Sequence, residues 1–244
     1  MEQHLLFFDI DGTILFHNRV PFLVKKAIKD ARKAGHYCIL NTGRPKVGLP
    51  KSVKRMKWDG YICAGSYVEF QGEVLGCELM PEESVRKIME YLVKDNVPAT
   101  FDCVGPSYTL HWQGGIPLSS PEELFVDFEN KKVNKVEIHR PLSEEALRAI
   151  APYASCYPMN GYVDVFVLGC SKASGMKLIG EKTGIPRERM VAFGDNNNDL
   201  DMLRYAGKSV AMKVASDDAV ASAAFHATSR RHGVCQGIKK YLRK

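Results

Sequence analysis

The chain has 244 residues, of which 45% are apolar and 25% charged, and it carries a formal net charge of +6. That balance excludes a disordered or fibrous protein, and the length suffices for one large domain or two modest ones with a sizeable buried core. The basic residues are spread along the chain apart from short clusters such as Lys51 to Lys57 and Lys239 to Lys244. These read as solvated helix faces, so no nucleic-acid partner is expected, and the mild positive field does no more than favour anionic substrates.

The opening residues Met1-Glu2-Gln3-His4 show neither a basic start nor a signal-cleavage pattern, and no apolar run approaches the ~20 residues that span a bilayer. The expectation is a cytoplasmic protein without membrane contact, a monomer or weak homodimer. Leu5-Leu6-Phe7-Phe8 is a continuous apolar run, as in a strand buried on both faces. A helix is predicted from Val20 to Ala34, with Gly35 as its stop, and a second strand over Tyr37 to Leu40. Strand, helix, strand in that order is a crossover unit with parallel pairing.

The middle of the chain has a different rhythm. Strands are predicted at Thr100–Asp102, Tyr108–Trp112, Val136–His139 and Val163–Val167, with helices near Glu82–Lys94, Pro121–Phe128 and Ser143–Ala151. Beyond it the first pattern returns: a helix over Ser174–Thr183, a strand over Met190–Phe193, the segment Leu200–Tyr205 and a strand over Ser209–Met212. Ala219–Ala224, Phe225–Ala227 and Val234–Leu242 continue it. The predicted fold is α/β: a parallel-sheet core from residues 1–79 and 169–244, with an inserted α+β domain over 80–168.

Chemistry-bearing residues recur where the core strands end. Asp9-Ile10-Asp11-Gly12-Thr13 follows the first strand, and the carboxyl edge of an open α/β sheet is where ligands bind. Alone, Asp11-Gly12 reads as a turn. Asn41-Thr42-Gly43-Arg44 follows the second strand; its hydroxyl and glycine amide suit a phosphate oxygen, although Thr42 capping its own turn explains it equally. Arg44 is either an accessory charge or half of a surface ion pair. Gly169 to Gly175 brings Lys172 to the same edge, and Gly194-Asp195-Asn196-Asn197-Asn198-Asp199 supplies five consecutive acidic or amide residues, an oxygen set for a hard cation. A calcium loop would need DxDxDG and a distal glutamate, which are missing, so magnesium is favoured.

These groups answer one electrostatic problem. A carboxylate approaching a phosphate dianion meets repulsion of about 4 kcal/mol per unit-charge pair at 4 Å and an effective dielectric near 20. A magnesium ion held by Asp9, Asp195 and an oxygen of Asp11, with Asp199 in the same acidic set, cancels much of it. Lys172 and Thr42 then bind the equatorial oxygens, with Gly12, Gly43, Arg44 and Asn198 as further phosphate contacts. Asp9 is the expected nucleophile, and Asp11 the acid and base.

Asp9-x-Asp11-x-Thr13, Thr42, Lys172 and Gly194-Asp195-x-x-Asn198-Asp199, in this order, resemble the four motifs of the haloacid dehalogenase (HAD) superfamily. The stretches around Lys172 and Asp195 are similar to its Cof-type phosphatases. The resemblance implies a Rossmann-like core, a mobile or semi-mobile α+β cap between the second and third motifs, magnesium dependence, and a small phosphorylated metabolite as substrate. It departs at Ala64-Gly65-Ser66, where the family carries Asn-Gly-Ala, at Met212-Lys213-Val214-Ala215 in place of a Gly-Asn-Ala ending, and at Ala173 in place of glycine. A phosphosugar mutase and a noncatalytic phosphate-binding module are the alternatives.

The odd set Cys38, Cys63, Cys77, Cys103, Cys156, Cys170 and Cys235 shows no CxxC pair and reads as reduced packing residues. Lys172 lies close enough in sequence to lower the pKa of Cys170. In the middle segment, His111-Trp112 and His139-Arg140 read as exposed strand positions rather than pocket residues.

Overall fold

The computed structural model describes residues 2–242. In chain order it begins with β1 (Leu5–Phe8), α1 (Phe22–Lys33), β2 (Tyr37–Thr42), the short α2 (Lys51–Lys54), β3 (Gly60–Cys63), β4 (Tyr67–Phe70) and β5 (Glu73–Cys77). Next come α3 (Glu82–Lys94), β6 (Ala99–Cys103), β7 (Tyr108–Leu110), β8 (Ile116–Pro117), α4 (Phe128–Lys131), β9 (Val133–Ile138), α5 (Glu144–Ile150), β10 (Ala154–Pro158) and β11 (Val163–Val167). It ends with α6 (Lys172–Thr183), β12 (Met190–Gly194), α7 (Leu200–Tyr205), β13 (Lys208–Ala211), α8 (Asp217–Ser222), β14 (Phe225–His226) and α9 (Gly233–Leu242).

Two sheets result. The larger has the order β14-β13-β12-β1-β2-β3-β4-β5, parallel from β14 to β3 and antiparallel at β4 and β5. Central β1 explains the unbroken apolar run. Leu6 and Phe8 pack on one face with Val24 and Ile28 of α1 and Ile238 of α9, while Leu5 and Phe7 pack on the other with Met176 and Ile179 of α6. All four side chains of β1 are fully buried, each contributing roughly 1.5–3 kcal/mol relative to exposure. Phe8 stacks on Phe193 of β12, ring centroids 4.8 Å apart, across the paired strands β1 and β12.

The smaller sheet runs β10-β11-β9-β6-β7-β8. Its central strands alternate over most of their length, with a bulge where Cys103 pairs with Val133. Phe101, Val136, Ile138, Val163 and Val165 face Val85, Ile88 and Leu92 of α3, so the polar positions between them occupy the opposite face.

Several elements differ from expectation, among them α2, β8 and β10, which no predicted element covered. Pro121–Phe128 is a 3-10 turn over Pro121–Leu124 rather than a helix, because Asp127 takes a left-handed conformation (φ 56°) before α4 begins. The strand at Tyr108 stops at Leu110, where His111 turns to φ 51°. The hairpin β4–β5, which no predicted element covered, closes over Gln71 and Gly72, both at positive φ as a type I′ turn requires.

Candidate active site

The ends of β1, β2 and β12 meet the start of α6 at one edge of the large sheet. Asp9 continues the ladder beyond β1 through its amide, which donates to Phe193 O at 3.0 Å. Lys172, the first residue of α6, is held there by the Ser171–Ser174 capping box, so the helix begins two residues earlier than predicted. Its side chain is fully buried, and Nζ donates to Asp9 Oδ1 and Asp199 Oδ1, both at 2.6 Å. Asp199 Oδ2 accepts from the Asp195 and Asn196 amides at 2.8 and 2.9 Å, which shapes the loop after β12. Asp195 is fixed from the other side by Thr13, whose Oγ1 donates to Asp195 Oδ1 at 2.7 Å.

Asp9, Asp195 and Asp199 each present a carboxylate oxygen within 4.8 Å of the others, with one ammonium among them. The site is short of positive charge. Burial, followed by the opposing Lys172 and the repulsion of Asp199, Asp195 and Asp11, leaves the Asp9 carboxyl well above its ordinary range. Burial and then Asp199 push Asp195 up to about 7. An all-oxygen donor set with excess negative charge fits a hard divalent cation. Asp199 has both oxygens engaged, whereas Asp9 and Asp195 each make one side-chain hydrogen bond.

Gly12 shows how tight this corner is. At φ +85° its Cα faces Asp195 so closely that a Cβ would lie 2.2 Å from Oδ2. Asp11 stands at the mouth, paired with Arg44 in two parallel hydrogen bonds: Nε to Oδ2 at 2.6 Å and Nη2 to Oδ1 at 2.9 Å. Arg44 is therefore an ion-pair partner of Asp11 here. Thr42 is buried at the end of β2, and its Oγ1 accepts from the Arg44 amide at 3.2 Å, so it does cap its own turn.

A cavity of about 560 Å³ opens over Asp9, Asp11, Thr42, Gly43 and Arg44, and the polar face of the smaller sheet roofs it. Asn198 connects the two halves: its Nδ2 donates to Asp164 Oδ2 of β11 at 2.9 Å. Asn197 Nδ2 to Pro158 O (2.8 Å) and Tyr157 OH to Asp201 Oδ2 (3.0 Å) also cross this boundary. Gly65 completes the fit, since a Cβ there would lie 2.7 Å from Phe166.

The roof residues Asp102, Lys135, Glu137, Tyr162 and Asp164 were not predicted as site residues. A signal existed: charged residues at alternate positions of valine-rich strands, in Val133-Asn-Lys-Val-Glu-Ile138 and Val163-Asp-Val-Phe-Val167. Neither His-containing pair lines the cavity; Trp112 stacks on His139 with centroids 4.0 Å apart. The Cys170 thiol is pushed up by burial rather than drawn down by Lys172, whose ammonium is committed to Asp9 and Asp199. All seven cysteines are free thiols.

The family model for haloacid dehalogenase-like hydrolases matches residues 6–238. YkrA of Bacillus subtilis, named as a phosphatase, is 27% identical over 225 residues, covering 87% of each chain. The 5-amino-6-(5-phospho-D-ribitylamino)uracil phosphatase YitU of B. subtilis is 28% identical over 269 residues, covering 99% of this chain and 98% of its own. Among solved structures, the HAD subclass IIB sugar phosphatase BT4131 superposes with a TM-score of 0.83 at 26% identity, covering 98% of both chains. The fold and the capped acidic edge define an α/β hydrolase, and the chain belongs to the haloacid dehalogenase-like hydrolases. Within them it is a phosphatase.

Proposed function

We propose that the protein hydrolyses a small phosphorylated metabolite, a sugar phosphate or a cofactor-precursor phosphate, in two steps through an aspartyl-phosphate on Asp9. The observation that carries this reading is the state of Asp9: a buried carboxylate with one oxygen fixed by a buried lysine, lining the cavity floor. Fixing the nucleophile in advance removes orientational freedom from the reaction. Asp9 displaces the leaving alcohol; Asp11, which takes up a proton as it leaves Arg44, gives that proton to the alcohol and then takes one from the water that cleaves the acyl-phosphate. Arg44 keeps the Asp11 carboxyl over the opening, and Thr42 and the Gly43 amide offer donors to the phosphoryl oxygens.

Asp9, Asp195 and an oxygen of Asp11 would hold magnesium, which when bound supplies the positive charge the three carboxylates lack. Asp199 keeps Lys172 and the Asp195 loop in place. Because Gly12 allows the Asp195 carboxylate to sit where it does, Gly12→Ala is expected to weaken magnesium binding at least about tenfold, read as a shifted thermal-stabilisation titration. An unchanged titration would remove Asp195 from the ligand set.

The relatives' names fit the substrate class, for YitU and BT4131 are named for a ribitylamino-uracil phosphate and for sugar phosphates. The test is a phosphate-release assay over hexose and pentitol phosphates with magnesium, with products followed by NMR. Inorganic phosphate in step with free alcohol is the expected result. Isomerised ester with little phosphate would establish the mutase, and no turnover of any ester would leave a binding module.

A further inference from the structure

We infer that the roof of the cavity selects the leaving group by charge, admitting an uncharged polyhydroxylated or an amino-bearing alcohol and rejecting one with a second anionic group. The inference rests on the phosphatase reading and adds the chemistry of the part of the substrate that departs.

Three neighbouring strands bring the selecting groups together. Asp102 of β6 stands opposite Lys135 of β9, and Asp164 of β11 stands opposite Glu137 of β9. Lys135 Nζ lies 2.7 Å from Asp164 Oδ1 and 3.0 Å from Glu137 Oε2, and its side chain is only 4% exposed. Its charge is thus spent on two carboxylates already. Asp102 accepts from Ser107 Oγ at 2.7 Å. Burial raises the Asp102 carboxyl, yet even with it protonated Glu137 and Asp164 outnumber Lys135. Burial lowers His139, which sits 3.4 Å from Glu137, so its ring adds no compensating charge. Among the described residues that line the cavity, Arg44 and Lys135 are the cations, and each is paired with carboxylate.

Carboxylates only accept hydrogen bonds, so a leaving group meets this roof favourably through O–H or N–H donors. Glu137 is the most open of the three, with a third of its side chain exposed. A carboxylate or second phosphate there faces like charge beneath a low-dielectric cover, with no free cation to receive it. The overall charge of +6 thus does not describe the roof of this cavity.

The test compares matched six-carbon esters: glucose 6-phosphate, glucosamine 6-phosphate and 6-phosphogluconate, as kcat/KM or, where turnover is slow, as inhibition constants. The neutral and amino esters should exceed the acid at least about tenfold, and Glu137→Gln should narrow that ratio about three- to tenfold. Because the ratio is taken within one preparation, partial misfolding of a variant cancels. Equal preference in the unchanged protein, or a ratio that Glu137→Gln leaves unmoved, overturns the inference. Absence of phosphate release from each of these esters and from acetyl phosphate would instead overturn the phosphatase reading beneath it.

Discussion

Asp9→Asn should lower phosphate release by about 10⁴-fold or more while leaving the metal-free protein at least as stable at pH 8 as the unchanged chain. The amide cannot attack phosphorus, but its Oδ1 can still accept the 2.6 Å hydrogen bond from Lys172, so the surrounding geometry has reason to persist. The stability half follows from the direction of the Asp9 shift. Burial holds its folded-state pKa well above the ordinary carboxylate value. A raised folded pKa means a contribution to stability that is complete below the unfolded pKa and lost as pH rises through the folded one. At pH 8, above the ordinary carboxylate range, Asp9 therefore costs stability where asparagine, with no charge to bury, does not. Phosphate release with magnesium, together with melting in chelator at pH 8, measures both. Activity within about a hundredfold of the unchanged protein would remove Asp9 as nucleophile, and a melting point several degrees lower would show that its charge supports the fold.

The residues at the site edge were legible because each follows a strand whose own pattern is unambiguous. Leu5 to Phe8 is apolar at every position, as a central parallel strand must be, so the carboxyl end of β1 and hence Asp9 were placed before any contact was known. Thr42, Lys172 and Asp195 could be placed similarly, since a strand end or a helix start lies beside each. What periodicity does not carry is the partner of a polar face. Val163-Asp-Val-Phe-Val167 announces one apolar side and one mixed side, and a mixed side ordinarily faces water. Here Asp164 is buried, and Asn198, 34 residues further along the chain in the turn after β12, donates to it. The β4–β5 hairpin was missed for a different reason: its signal is the turn Gln71-Gly72, and β5 carries no buried face to strengthen it. Pro121 to Phe128 has the composition of a helix start, but its 3-10 turn ends at Leu124 and the chain passes through the left-handed Asp127 before Phe128 enters the smaller sheet's core.

Magnesium should stabilise the protein more at pH 8 than at pH 5.5, and a chelator should abolish phosphate release at either pH. In the metal-free site Asp195 titrates at about 7, raised first by burial and then by Asp199. Its contribution to stability is full below the unfolded carboxylate pKa and declines as pH rises toward 7, so the empty site grows costlier in that window. Cation binding runs the other way, since it requires the carboxylates ionised and competes with the protons that burial favours. The two trends reinforce each other in the difference between loaded and unloaded protein. With magnesium at a hundred times its dissociation constant, the stabilisation is about 2.7 kcal/mol, which for a chain of this size raises Tm by roughly 5–10 °C. At pH 5.5 the same magnesium concentration should give less than about half of that shift, because protons then hold part of the site. Melting curves with and without the ion across this range, on the unchanged protein and on Asp195→Asn, decide the matter. A shift that does not vary with pH, or one that survives the substitution in full, would mean that magnesium stabilises the protein without Asp195.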